Sequence, residues 1–256
     1  MVEINYLSYT QLNMYVRCPR QYFYRYVEKK IYPPKARLSQ GRAFHSAHED
    51  GFTRKMADHK GYKTSDLKIL FAEYFDREVF ANESIFEEGQ THGKMLDQGV
   101  QAVDVYGKAK GRFIYPKHVE MPFEIGFKNA PFTFKGYIDL VDVRDRLIDI
   151  KLRSKRFSEK EMDTDLQLTS YFVGYREVFG TNPKEIAWDV TLTQKEIKYE
   201  RVPVVRGEVH LKHFLLTVAD VAKAIRTGIF YPNTTGFMCS KDWCGYYQIC
   251  MKGGKD

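Results

Sequence analysis

Apolar and polar residues alternate along two short stretches of the chain, Gly136 to Asp142 and Arg146 to Lys151, on either side of a polar Val143-Arg144-Asp145 loop. Period-two alternation around a short polar loop predicts a β-hairpin. With Asp139 opposite Asp149, residues 140/148, 141/147 and 142/146 pair. Asp139, Asp149 and Lys151 then share one face, and Ile138, Leu140, Ile148 and Ile150 take the other, buried face.

Elsewhere the period is helical. Ser8 and Gln11 form a capping-box pair opening a helix through Leu12, Tyr15, Tyr22 and Tyr26, which Pro19 breaks or kinks. Further helices are expected at 38–58, 65–80 and 94–110, and strands at 117–127, 132–142 and 146–152. Ser158 and Glu161 cap a helix carrying Gln167 and Tyr171, which share a face at i, i+4 spacing. Strands at 186–193 and 196–204 and a helix at 209–227 complete the pattern, a mixed α/β sheet flanked by helices. No Pro/Gly/Ser-rich linker divides the 256 residues, so one domain is expected over 1–256. No run approaches the ~18 apolar residues of a membrane span.

The polar face of the hairpin carries candidate chemistry. Two close carboxylates repel unless a cation lies between them, and hard oxygen ligands with open positions suit magnesium or manganese. An ammonium at Lys151 can orient water or stabilise a pentacovalent phosphate. In a chain that is 29% charged, the same tripeptide also suits a surface ion pair. His45 and Glu49 lie one helical turn apart, where an imidazole can complete a metal site or serve as a hydrogen-bonded core histidine. Tyr171 likewise suits either a strand-holding polar face or the core.

In order, Gly41-x-x-x-His45, Gly136-x-x-Asp139, Asp149-x-Lys151 and Gln167-x-x-x-Tyr171 resemble the RecB-like branch of the PD-(D/E)XK nuclease superfamily. The resemblance spans about Ser8 to Cys250. It implies a restriction-endonuclease-like fold and a magnesium or manganese ion held by His45, Asp139, Asp149 and the Ile150 carbonyl. It also implies a catalytic Lys151, with Gln167 and Tyr171 holding DNA near the site. Asp149 stands where many relatives have Glu.

Cys18 lies near the start of the chain, and Cys239, Cys244 and Cys250 near its end, so a site using all four must join the two terminal segments. Zinc and a cubane cluster both remain open on spacing alone. Iron-sulfur members of the RecB-like group have one Cys-Pro before the core and three cysteines after it, which implies a 4Fe-4S cluster built on 1–35 and 229–256. The C-x4-C gap from Cys239 to Cys244 departs from the commoner C-x2-C. Trp243, Tyr246 and Tyr247 are expected to shield that group.

A net charge of +7 is consistent with a polyanionic partner. Arg153, Lys155 and Arg156 follow the lysine and suit phosphate contacts or a solvated face. Arg17, Arg20, Arg25, Lys29 and Lys30 form a second cluster. The resemblance implies DNA as partner, single-stranded or as duplex ends, and a recombination, repair or CRISPR-adaptation protein beside it. It implies the cytoplasm of a bacterial, archaeal or phage-infected cell. A catalytically silent DNA-binding module of the same fold is the alternative, against which the joint presence of Asp139, Asp149 and Lys151 argues.

Overall fold

A computed structural model describes residues 2–58, 61–128 and 131–252. β1 (Tyr6–Ser8) leads into α1 (Tyr9–Arg17), α2 (Pro19–Tyr22) and a π-helical segment, Phe23–Val27. Next come α3 (Ala36–Asp58), α4 (Thr64–Ala81) and α5 (His92–Ala109), then β2 (Pro116–Gly126), β3 (Thr133–Asp142) and β4 (Arg146–Arg153). α6 (Glu159–Thr164) and α7 (Leu166–Phe179) cross to β5 (Glu185–Thr193) and β6 (Ile197–Val204), and α8 (Glu208–Arg226) and α9 (Tyr247–Met251) follow. α3, α4, α5 and α8 and strands β2 to β6 lie within two residues of their expected bounds, whereas β1 was not expected.

The chain divides into two compact units whose boundaries fall within β2 and β3, although no linker marks them. One is drawn from Met1–Tyr32, Phe123–Gly136 and Gly207–Asp256, the other from Pro33–Pro122 and Tyr137–Arg206. Among the described residues, no helix is long and apolar enough to cross a membrane.

In the first unit, β1 pairs in parallel with the start of β3, Leu7 opposite Phe134. Ser8 caps α1 reciprocally: its hydroxyl accepts from Gln11 N–H, and Gln11 Oε1 accepts from Ser8 N–H at 2.8 Å. α1 stops at Arg17, Cys18 is extended, and Pro19 takes the first position of α2, where its missing N–H costs nothing. Phe134 meets Phe214 of α8 edge to face, ring centroids 5.1 Å apart, and both are buried.

The second unit is built on a mixed sheet. β3 and β4 are antiparallel in the expected register, Leu140 opposite Ile148 and Val141 opposite Leu147. β4 runs parallel to β5 from Arg146 opposite Glu185 to Arg153 opposite Leu192, and β6 returns antiparallel on β5. The hairpin turn is fixed by Asp142, whose Oδ1 accepts from the N–H groups of Arg144 and Arg146 while its other oxygen pairs with the Arg146 guanidinium. Leu140, Ile148 and Ile150 join the core formed by Phe44, Ala47, Phe71, Phe75 and Tyr106 of α3 to α5. α7 packs against β4 and β5.

The sequence reading is corrected at the crossover. The Ser158–Glu161 capping box is present, but it opens only α6. Asp165 adopts extended backbone, ends α6, and itself caps α7 by accepting from Leu168 N–H at 2.7 Å. An Asp side chain competing for a nearby backbone N–H explains the break.

Candidate active site

Every residue expected at the hydrolytic site lies in the second unit, placed there by the β3–β4 hairpin, α3 and α7. The β3–β4 register puts Asp139 and Asp149 on one face, and Lys151 follows one pleat on. His45 comes from α3, where its neighbours Phe44, Ala47 and His48 are buried and leave it half-exposed at the site. Gln167 and Tyr171 lie one turn apart on α7, with the short hydroxyl-carrying Thr169 and Ser170 between them.

These groups form a continuous polar chain. His45 Nε2 lies 2.9 Å from Asp139 Oδ2, and the Tyr171 hydroxyl donates to Asp139 Oδ1 at 2.5 Å. Gln167 Nε2 donates to that hydroxyl at 2.9 Å, and Gln167 Oε1 accepts from Lys151 Nζ at 2.9 Å. Lys151 Nζ also lies 2.9 Å from Asp149 Oδ1. Tyr171 is thus buried in the core while its hydroxyl faces Asp139 and Gln167.

Asp149 is the electrostatic focus. It has 0% exposure, and its charged neighbours are the Lys151 ammonium, 2.9 Å from Oδ1, and the Asp139 carboxylate. Burial, together with the charge on Asp139, holds the Asp149 carboxyl well above the ordinary carboxylate range despite Lys151. Asp139 goes the other way: burial raises it, but His45 outweighs that and keeps it ionised. Burial opposes protonation of His45, and the adjoining Asp139 carboxylate overcomes it, pushing the imidazole up to about 9.

Glu120 of β2 was not singled out in the sequence. Its Oε1 lies 3.7 Å from His45 Nε2, is buried, and has no hydrogen-bond partner among the described residues. Burial and then Asp139 push its carboxyl up to about 7. One ligand atom each from His45, Glu120 and Asp139 falls within 4.8 Å of the others. Such a set of one imidazole and carboxylate oxygens suits a hard divalent ion. Glu120 has φ +47°, left-handed backbone that a glutamate rarely adopts. Alternation therefore gives no signal for where its side chain goes.

The basic residues after Lys151 are divided. Arg153 donates to Glu161 at 2.8 Å and lies over the Phe157 ring, Arg156 donates to Glu200 at 2.9 Å, and Lys155 is exposed.

The four cysteines lie in the first unit as free thiols. Cys18, Cys239, Cys244 and Cys250 line one cavity of about 180 Å³ with Tyr24 and Tyr246. Tyr246 stacks on Tyr24, whereas Trp243 is 57% exposed and does not enclose that space. Gln21 Nε2 donates to Cys244 Sγ at 3.0 Å, and Asn233 N–H to Cys18 Sγ at 3.4 Å. Burial and then the neighbouring Cys18 push the Cys250 thiol up, with Cys244 and Cys239 contributing. Among the described residues, no three of these sulfurs lie within 4.8 Å of one another. That is wider than a closed zinc site, where Zn–S bonds of ~2.3 Å bring sulfurs to about 3.8 Å.

A model of the PD-(D/E)XK nuclease superfamily matches residues 6–251. The crystal structure of a protein from Eubacterium rectale, provisionally described as an exonuclease, superposes with a TM-score of 0.62. The two share 10% identity over 98% of this chain and 89% of that one, which is a likeness of fold. A second crystal structure, of SSO0001, aligns at a TM-score of 0.44 and 13% identity over 98% of this chain and 87% of that one, too weak a likeness to build on. No curated protein matches the chain by sequence.

Proposed function

Since this chain belongs to the PD-(D/E)XK nuclease superfamily, we propose that it is a metal-dependent DNA exonuclease of the RecB-like branch. Its substrates are single-stranded DNA or duplex ends, and its setting is recombination, repair or CRISPR adaptation beside a protein of that process. The Eubacterium rectale neighbour's description agrees with this reading.

The observation that carries the proposal is the fully buried Asp149 carboxyl beside a second carboxylate, that of Asp139. Such a pair is costly without a cation. His45, Glu120, Asp139 and Asp149, with the Ile150 carbonyl, are the groups that would hold magnesium or manganese. When bound, that ion supplies a water of lowered pKa and neutralises charge developing on the phosphate.

The chain's own residues do the rest. Lys151 presents its ammonium to the phosphate, held in position by Asp149 on one side and Gln167 on the other. Gln167 and Tyr171 link that ammonium to Asp139, so the cation and the ligand carboxylate keep one geometry. Lys155 adds an exposed charge for the strand, and Arg153 and Arg156 can contribute only by exchanging their glutamate partners.

The cysteine cavity is assigned a structural 4Fe-4S cluster, with zinc as the alternative. The four thiols lining one cavity, with hydrogen bonds donated to Cys244 and Cys18, are the groups that either would use. Phosphodiester hydrolysis needs no electron transfer.

The test is incubation of anaerobically prepared protein with end-labelled and circular DNA, single- and double-stranded, in manganese or magnesium, with Asp149→Ala beside it. Loss of linear DNA by wild type alone, dependent on the ion, is the expected result. Binding without cleavage of any substrate would overturn it in favour of a silent module.

A further inference from the structure

Arg206, the last residue of the second unit, is only 9% exposed. A buried guanidinium normally faces a carboxylate. This one spends its donors on oxygens at the joint between α6 and α7. Nε donates to Thr169 Oγ1 at 2.8 Å, Nη2 to the Met162 carbonyl at 2.8 Å and to the Asp165 carbonyl at 3.4 Å, and Nη1 to the Val205 carbonyl at 2.9 Å. Thr169 Oγ1 in turn donates to the Asp165 carbonyl at 2.6 Å.

Two of these acceptors bracket one residue. Asp165 lies two positions before Gln167 and Thr169 two positions after it. The joint is the place where α7 has no continuous helix behind it, because Asp165 is extended. The free carbonyls at the end of α6 are a natural docking point for a cation. Arg206 therefore bridges the end of α6 to the first turn of α7.

We infer that Arg206 is a positioning residue: its guanidinium fixes the first turn of α7 and so holds the Gln167 amide against Lys151. The inference rests on the nuclease reading for its consequence and on the hydrogen bonds alone for its geometry. A planar fork with several donors can tie Met162, Asp165 and Thr169 together at once. A lysine ammonium, a single point of charge, cannot span them. Arg206→Lys should keep the charge and lose the geometry.

Three variants test it: Arg206→Lys, Gln167→Ala and the double substitution, each compared with wild type for steady-state cleavage in manganese. Arg206→Lys is expected to lower kcat between about tenfold and a hundredfold with KM for DNA unchanged. In the Gln167→Ala background the same change should lower kcat no further, because residues acting through one group are non-additive. Additive losses, or an unchanged kcat, would overturn the positioning role. Amide exchange gives a readout free of catalysis. Arg206→Lys should speed exchange over 166–171 and leave β4 unaltered, and equal exchange in the two proteins would overturn the inference. Inactive wild-type protein would refute the nuclease reading, while the exchange result would still judge the clamp. Should Arg206→Lys fold poorly, Thr169→Val removes one acceptor, with a smaller shift expected in the same direction.

Discussion

The candidate hydrolytic site and the cysteine cavity are the two places where we propose a metal group, and their side chains are joined to different degrees. In the first, a carboxylate, an ammonium, an amide, a phenol and an imidazole are already joined at 2.5 to 2.9 Å. In the second, four thiols line an open space, and the two closest polar contacts to sulfur come from Gln21 and Asn233. Strands β3 and β4 and helices α3 and α7 fix the hydrolytic groups, so position there precedes any ligand. Loops and the short α9 carry the three trailing cysteines, so a group bound there would supply much of the order. Preorganisation belongs where a transition state has to be met, and a structural clamp can be assembled by its own ligand.

Changes that separate the two regions test this contrast. The largest effect is expected from Lys151→Ala, which should reduce cleavage by on the order of 10³-fold. Manganese binding, followed by calorimetry, should persist in that variant, since Lys151 is not among the ligands. Loss of binding together with activity would show that the lysine builds the site rather than acting in it.

Next in size is Cys244→Ser. It should abolish the four iron and four sulfide expected per chain, at roughly that stoichiometry, and lower the unfolding midpoint by on the order of 5 °C. Stoichiometric zinc without iron in the wild-type protein would instead establish the alternative metal. The smallest effect belongs to Glu120→Gln, expected to raise the manganese needed for half-maximal cleavage by roughly tenfold. No change in that requirement would remove Glu120 from the ligand set.

The parts that were legible in the sequence are those governed by a period. Alternation fixed the register of β3 on β4, because a slip of one residue would take Asp139 off the face that Asp149 and Lys151 share. The capping boxes at Ser8 and Ser158 were readable because each is a local exchange of two hydrogen bonds. The parts that escaped depend on single backbone irregularities. Glu120 reaches the site through a left-handed φ that no pattern announces. The break at Asp165 was hidden by the stronger cap seven residues earlier, although an Asp directly before Leu166 was the available signal. The cysteines could be named, but their sulfur spacing could not, since it depends on how loops close over the chain ends.

The tight turn at Asp142 has a kinetic consequence. It places the two carboxylates and the lysine on neighbouring strands separated by only a few residues, so they meet through a short loop closure, an event of microseconds. Cys18 and Cys250 stand at opposite ends of the chain, and the entropy of closing so long a loop is recovered only after much else has formed. During refolding, hydrogen-exchange protection should therefore appear in β3 and β4 before the cysteine segment gains any, and metal delivered to the cysteines would act on a chain whose β3–β4 hairpin is already in place.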